Sequence, residues 1–334
     1  MNSRNSHDAF HVFAPLMAQC EATCSPEEFY WHVNDAYHTV ESEHYDRLHA
    51  SMFMSLEKIW TRLLHHLPDA PERLDVLDVG SGTGLVGRIL NRLVPERIGS
   101  LTCVEPNRAM IEQARLKSNT WLFPVNHVNG ELSVLPNGHR FDVVTINSVL
   151  HHIVDLNRFL GSLSEYVKPG GVLLTAQDPC RDAVRDPVAR QRRDSLATRR
   201  WLDPAWFGKA VWRRLGRLIF NRVGKVSLED KVNDILIKKG VMSQPLAMAS
   251  IYAVTDVHVP NQPGNIGNGI DVGAMERTLS SFNLAETFTY QFFGAELEYL
   301  TFFQRRLEQR LWHQGDPHGF LFGTAWRHRV QDHD

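Results

Sequence analysis

The chain has 334 residues, enough for one large domain or for a domain with a second one embedded in it. With 43% hydrophobic and 22% charged residues it reads as an ordinary soluble globular protein, and 36 Lys/Arg against 38 Asp/Glu leave a net charge of -2, no global sign of a nucleic-acid binder. Cys20, Cys24, Cys103 and Cys180 form no C-x-x-C pair, so a thiolate zinc site is not expected and a reducing compartment is the default.

Residues 26–66 read as helices, with Met52, Leu56, Trp60 and Leu63 at helical spacing. From residue 74 strands and helices alternate. "LDVLDVG" is a buried strand followed by a helix over 85–94, "LTCVEP" a second strand followed by a helix over 107–117, and "VNHVNGEL" a third. "FDVVTINSVL" is a fourth strand, 155–167 a helix with Leu156, Phe159, Leu160, Leu163 and Val167 as its stripe, and "GGVLLTAQD" a fifth strand. The alternation then stops. Residues 179–248 read as helical and locally basic, and 249–270 as irregular, ending in "NQPGNIGNG". A helix over 275–282, the strand "LAETFTYQFF", a long helix over Leu297, Leu300, Phe303, Leu307 and Leu311, and the strand "GFLFGTAWRH" close the chain.

This order predicts an α/β fold with a doubly wound, mostly parallel sheet ending in an antiparallel pair. The expected division is a helical cap over 1–70, a nucleotide-binding core over 71–178, a lid over 179–270 and a completion of the sheet over 271–334. A lid of that length exceeds any ordinary connection. The N-terminal "MNSRNSHDAFHVFAPL" lacks a long apolar core and no eighteen apolar residues run together, so neither signal peptide nor membrane span is expected and the protein is placed in the cytoplasm.

Within "LDVLDVGSGTGLVG", two glycine loops overlap. Gly80-Ser81-Gly82-Thr83-Gly84 is one. Gly82 to Gly87 is a formal G-x-G-x-x-G, the loop that cradles a dinucleotide pyrophosphate, and Glu105 sits about where the matching ribose acid belongs. Three features oppose a dinucleotide. Asp78, at the strand end, sits poorly beside a pyrophosphate and well beside a positive charge. Glu131 can accept from an exocyclic amine such as that of adenine. The fourth strand ends in a polar run at the carboxyl edge of the sheet, where open sheets bind ligands.

In this order, "VLDVGSGTG", "VEPN", "NGELSVLP", "FDVVTINSVLHHIVD" and "VKPGGVLLTAQD" resemble the motifs of class I S-adenosylmethionine-dependent methyltransferases, the last two those of small-molecule and quinone methyltransferases. The resemblance covers residues 74–178, and the final strand pair more weakly. It implies S-adenosylmethionine as cofactor and a methyl transfer to oxygen or nitrogen, less readily carbon, of a small molecule. It also implies that Asp78, Gly80, Ser81, Gly82 and Gly84 hold the methionine and adenosine parts. Glu105, with Pro106 and Asn107, takes the ribose hydroxyls. Glu131 and Leu132 meet adenine, Asn147, Ser148 and His151 lie near the sulfonium, and Tyr45 closes from the N-terminal helices. A nicotinamide oxidoreductase using 82–87, or a non-catalytic S-adenosylmethionine-binding module, are the alternatives.

The acceptor is less legible. Methyl transfer needs an aligned nucleophile and a place for its proton. His152 lies at the substrate edge, and His38 and Glu41 share a helix face. "TDVHVP" is read as a strand that puts Asp256 and His258 on one face. These groups can meet as a base, with Glu41, His152 and His258 the catalytic candidates, or as a metal site, although no metal is expected. In the lid, residues 181–225 carry thirteen Lys/Arg against four Asp/Glu. A stripe of Phe207, Val211, Leu215 and Leu218 opposes Lys209, Arg213 and Arg217, so 205–220 can touch an anionic membrane or an anionic or amphipathic substrate. No Asn-Pro-Pro-aromatic loop follows the fourth strand, which disfavours nucleic acid.

Overall fold

The structure is a computed structural model and describes residues 9–42, 50–200, 227–259, 267 and 269–330. A 3-10 turn, α1 (Ala14–Gln19), α2 (Pro26–Ser42) and α3 (Ala50–Leu63) precede the sheet. Then come β1 (Leu74–Val79), α4 (Leu85–Leu93), β2 (Ile98–Glu105), α5 (Arg108–Ser118), β3 (Val125–Asn129), β4 (Phe141–Asn147), α6 (Leu156–Leu163) and β5 (Val167–Pro179). The described part of the insertion holds α7 (Arg181–Arg185), α8 (Pro187–Arg200), α9 (Leu228–Lys238) and α10 (Met248–Thr255), and α11 (Val272–Thr278), β6 (Phe282–Tyr290), α12 (Phe302–Gln314) and β7 (Leu321–His328) finish the sheet.

The seven strands run in the order β3-β2-β1-β4-β5-β7-β6. The first five are parallel and β7 is antiparallel to both neighbours, so the doubly wound sheet and its antiparallel end are as expected. Both faces are covered, which is why β1 is buried almost throughout, Asp75 alone being partly exposed. Alternation sends Leu74 and Val76 towards Leu56, Trp60 and Leu90 of α3 and α4, and Leu77 and Val79 towards Leu160, Leu163 and Met275 on the other side. Gly87 lets α4 lie close: a Cβ there would sit 2.3 Å from the Trp121 ring. The crevice where the chain order reverses lies between β1 and β4, and such switch points are where open sheets bind ligands.

A third core is built from segments two hundred residues apart. Phe29, Val33 and Tyr37 of α2 pack with Val232 and Leu236 of α9 and Ile251 and Val254 of α10. Among the described residues, α2, α9 and α10 therefore form one cap.

Four sequence expectations are corrected. Residues 248–255 are helical rather than irregular, because Ile251 and Val254 fall at helical spacing onto α2. "TDVHVP" is consequently no strand: Asp256 ends α10 and His258 lies in the turn after it. The long C-terminal helix is interrupted, since Thr301 and Gln304 form a capping box that starts α12 afresh. Its register buries Leu311 and leaves Phe303 75% exposed, so Phe303 and Leu307 are not core. The helix expected over 275–282 starts earlier, at an Asp271 cap, and Phe282 already belongs to β6.

Candidate active site

The glycine loop leaves β1 and is pinned from β2: the Gly80 and Ser81 N–H groups donate to the Val104 carbonyl at 2.8 and 3.1 Å. Gly80 has φ +64°, and a Cβ there would stand 2.5 Å from Val149 Cγ2, so both backbone and space require glycine. Gly82 has φ +52° with no atom within 4 Å of where its Cβ would be, and Gly84 caps α4 in the left-handed region. This leaves a bare backbone cradle open at Gly82.

Asp78 lies beneath it, 1% exposed. One oxygen accepts from Thr145 Oγ1 at 2.8 Å; the other, Oδ2, is buried without a hydrogen-bond partner among the described residues. Burial pushes this carboxyl up to about 7, against the lowering hydrogen bond from Thr145. Glu105, at the end of β2, accepts from the Gly82 N–H at 2.9 Å and the Asn107 N–H at 2.8 Å. Burial raises its carboxyl above the usual range, while the Asn107 N–H, His38 and the Gly82 N–H pull it back. Each Glu105 oxygen keeps lone-pair capacity for a hydroxyl.

Some expected contacts have other duties. The Asn107 side chain caps α5 through the Met110 N–H at 2.9 Å and donates to Asp35 and Thr39 of α2. Pro106 offers its carbonyl to Asn129 Nδ2 at 2.9 Å. Asn147 accepts from Trp60 Nε1 at 3.0 Å, which ties the end of β4 to α3. Glu131 is exposed, with its carboxyl raised by partial burial and by Glu27, and Leu132 beside it is buried. Ser148 and Gln177, at the ends of the adjacent β4 and β5, hold φ of +61° and +69°, strain typical of a functional edge. Tyr45, the 205–220 stripe and most of the glycine-rich 261–269 lie outside the described residues.

A second cluster forms where the turn after β4 meets the turn after α10. His151 donates twice to Asp178 Oδ1, from its backbone N–H at 3.0 Å and its Nδ1 at 2.7 Å. Asp178 is fully buried. His152 donates from Nδ1 to the Thr255 carbonyl at 2.7 Å, and its own carbonyl accepts from Tyr30. Asp256 Oδ1 lies 3.8 Å from His151 Nε2 and 3.4 Å from His152 Nδ1. Burial lowers both imidazoles; His151 nonetheless ends above its ordinary value because of Asp178 and Asp256, while the charges of His151 and His38 drive His152 further down. The His38 ring meets His152 edge-on at 5.5 Å, and its Nδ1 lies 3.7 Å from Glu41, which also accepts from Tyr37.

The two segments suspected of meeting, around Glu41 and around Asp256, thus converge on His152. His258 does not join through its ring, which donates to the Ile153 carbonyl at 2.9 Å; its backbone N–H bonds the His151 carbonyl. It borders a separate cleft of about 630 Å³ with Arg181 and Asp271. Asp178 was missed because nothing local marks it; only the neighbouring strand ends bring it under His151.

The sequence profile of a family described as "Methyltransferase domain" matches residues 48–214. The chain is 29% identical over 148 residues to the ubiquinone/menaquinone biosynthesis C-methyltransferase UbiE of Serratia proteamaculans, covering 43% of this chain and 58% of that one. It is 28% identical over 171 residues to the UbiE of Vibrio campbellii, covering 50% and 64%. The chain thus spans about three-fifths of the length of the curated relatives it matches. Among solved structures, a Mesorhizobium loti S-adenosylmethionine-dependent methyltransferase aligns with TM-score 0.39 at 14% identity, covering 80% of this chain and 96% of that chain.

Proposed function

The chain belongs to the methyltransferase domain family, and we propose that it transfers the methyl group of S-adenosylmethionine to an oxygen or nitrogen of a small molecule. The observation that carries this reading is the buried Asp78 oxygen without a partner, set beneath an open glycine cradle and beside Glu105. A ligand with a cationic end and a vicinal diol suits that set; a pyrophosphate does not. Family membership likewise sets aside the nicotinamide oxidoreductase.

The donor, when bound, supplies an electrophilic methyl on a sulfonium. Asp78 would take its ammonium group, and Gly80, Ser81, Gly82 and Gly84 would let the backbone close on it. Glu105 would accept from the ribose hydroxyls, and Glu131 and Leu132 would flank adenine. Asn147, Ser148 and His151 would border the methyl. At the acceptor end, His151, His152 and Asp256 offer two imidazoles and a carboxylate, groups able to take or share the proton an acceptor loses. Glu41 contributes through His38, and His258 by holding the turn through its backbone. The cap formed by α2, α9 and α10 would exclude water and select the acceptor.

The relatives named above are C-methyltransferases, so the acceptor atom is the finer question. Metabolite profiling of a deletion strain with a labelled methyl donor, followed by NMR of the labelled product, identifies it. Calorimetry tests the coarser reading: S-adenosylhomocysteine should bind in the micromolar range, about -8 kcal/mol. Measurable NADH binding with no response to S-adenosylhomocysteine overturns it.

A further inference from the structure

His151, His152 and Asp256 each place a ligating atom within 4.8 Å of the other two. Their tautomers follow from their partners. A carboxylate 2.7 Å from His151 Nδ1 and a carbonyl 2.7 Å from His152 Nδ1 can only accept, so both rings carry a proton at Nδ1, and in its neutral form each has its lone pair at Nε2. An oxygen on the far nitrogen is what fixes the orientation of metal-ligating histidines and raises their basicity. Asp178 does this with no exposure to solvent, gripping the His151 ring and backbone together. Neutral His151 presents its Nε2 lone pair to Asp256 Oδ1 at 3.8 Å, and the same oxygen stands 3.4 Å from the protonated Nδ1 of His152. Two ligands about 2.0–2.2 Å from one ion stand about 3.3 Å apart in a tetrahedron and about 4 Å apart when opposed, and the gap falls between.

We propose that His151, His152 and Asp256 form a site for a divalent transition cation of the zinc or manganese class, although no metal was expected from the sequence. Two imidazoles and one carboxylate favour such ions over magnesium or calcium, and three protein ligands leave positions open. The consequence for catalysis, unlike the binding, rests on the methyltransferase reading. An acceptor hydroxyl or amine in an open position is acidified and gives its proton to solvent. Its lone pair then forms the bond to the methyl carbon as the carbon–sulfur bond breaks, and the sulfur keeps that pair as a neutral thioether.

The test uses the full chain, stripped by chelation and dialysed against zinc or manganese chloride without cofactor, with metal per chain measured by elemental analysis. Cobalt(II) serves as a coloured probe of nitrogen and oxygen coordination. One ion per chain is expected, with at least tenfold weaker binding and loss of the cobalt absorption in Asp256→Asn and His152→Gln, both still binding S-adenosylhomocysteine. Asp178→Asn should weaken the site without removing a ligand. If His152→Gln does not fold, Asp256→Asn decides, its side chain being 20% exposed at the edge of the turn. Equal zinc uptake by wild type and Asp256→Asn, or an unchanged cobalt spectrum, overturns the proposal. Cofactor binding without metal uptake refutes the metal site alone, and metal uptake without cofactor binding refutes the methyltransferase reading alone.

Discussion

Replacing Glu105 separates its binding role from its part in the fold. The carboxylate is 7% exposed and accepts two backbone N–H groups, so Glu105→Ala removes two charged hydrogen bonds, each worth about 1.5–3 kcal/mol. Relief of the cost of burying a charge, visible in its raised pKa, offsets part of this. The apo protein should lose about 1–3 kcal/mol, a few degrees in melting temperature. Binding should weaken as well, by about 1.5–3 kcal/mol or roughly 10–150-fold in Kd, as the ribose hydroxyls lose their acceptor. Glu105→Gln keeps one carbonyl acceptor but turns an amide towards an N–H donor. It should recover part of the stability and little of the affinity. Titration calorimetry with S-adenosylhomocysteine, run beside thermal melts of both variants, reads the two effects separately. Unchanged affinity in a destabilised Glu105→Ala protein makes the acid purely structural and refutes the assignment of the loop.

Gly80→Ala should cost about 1–2 kcal/mol from its backbone angle plus a clash with Val149, and Val149→Ala in the same chain should restore only the clash part, as read by denaturant midpoints. Asp78 titrates at about 7 without ligand, raised above its unfolded value. Its folded form therefore holds a proton that the unfolded chain has released, and stability falls as pH rises from about 4 to about 7. A cationic ligand favours the ionised form, so S-adenosylhomocysteine should bind more tightly at pH 8 than at pH 6 by calorimetry, a dependence that Asp78→Asn should abolish. Leu236→Ala, at a fully buried position of the cap, should cost about 2–4 kcal/mol and speed proteolysis of α9 and α10 with little change in cofactor affinity; undiminished protection would show that the cap does not depend on this core.

Local pattern was sufficient for the sheet and for the glycine loop with the two acids beside it. Buried parallel strands write themselves as apolar runs, and a loop that must reverse at the sheet edge displays its glycines, so β1 to β5, Asp78, the Gly80–Gly84 loop and Glu105 stand within a short span of chain. Their order also carries the family resemblance. The cluster of His151, His152 and Asp256 has no such signature. Asp178 looks like any acid after a strand until β4 and β5 lie side by side and put it under His151. Asp256 was paired with His258 because alternate positions of a strand share a face; packing against α2 makes the residues before them a helix that ends at Asp256, and the turn after it sends the two side chains to different places. Asn147 was assigned to the ligand, yet an indole from α3, 87 residues earlier in the chain, already holds its oxygen. Periodicity reports which face of an element is apolar, and it cannot say which distant face will cover it. Contacts such as those of His152 with Thr255, 103 residues away, and with Tyr30, 122 away, are chosen by the packing of the whole chain, and the cluster around His152 depends on them.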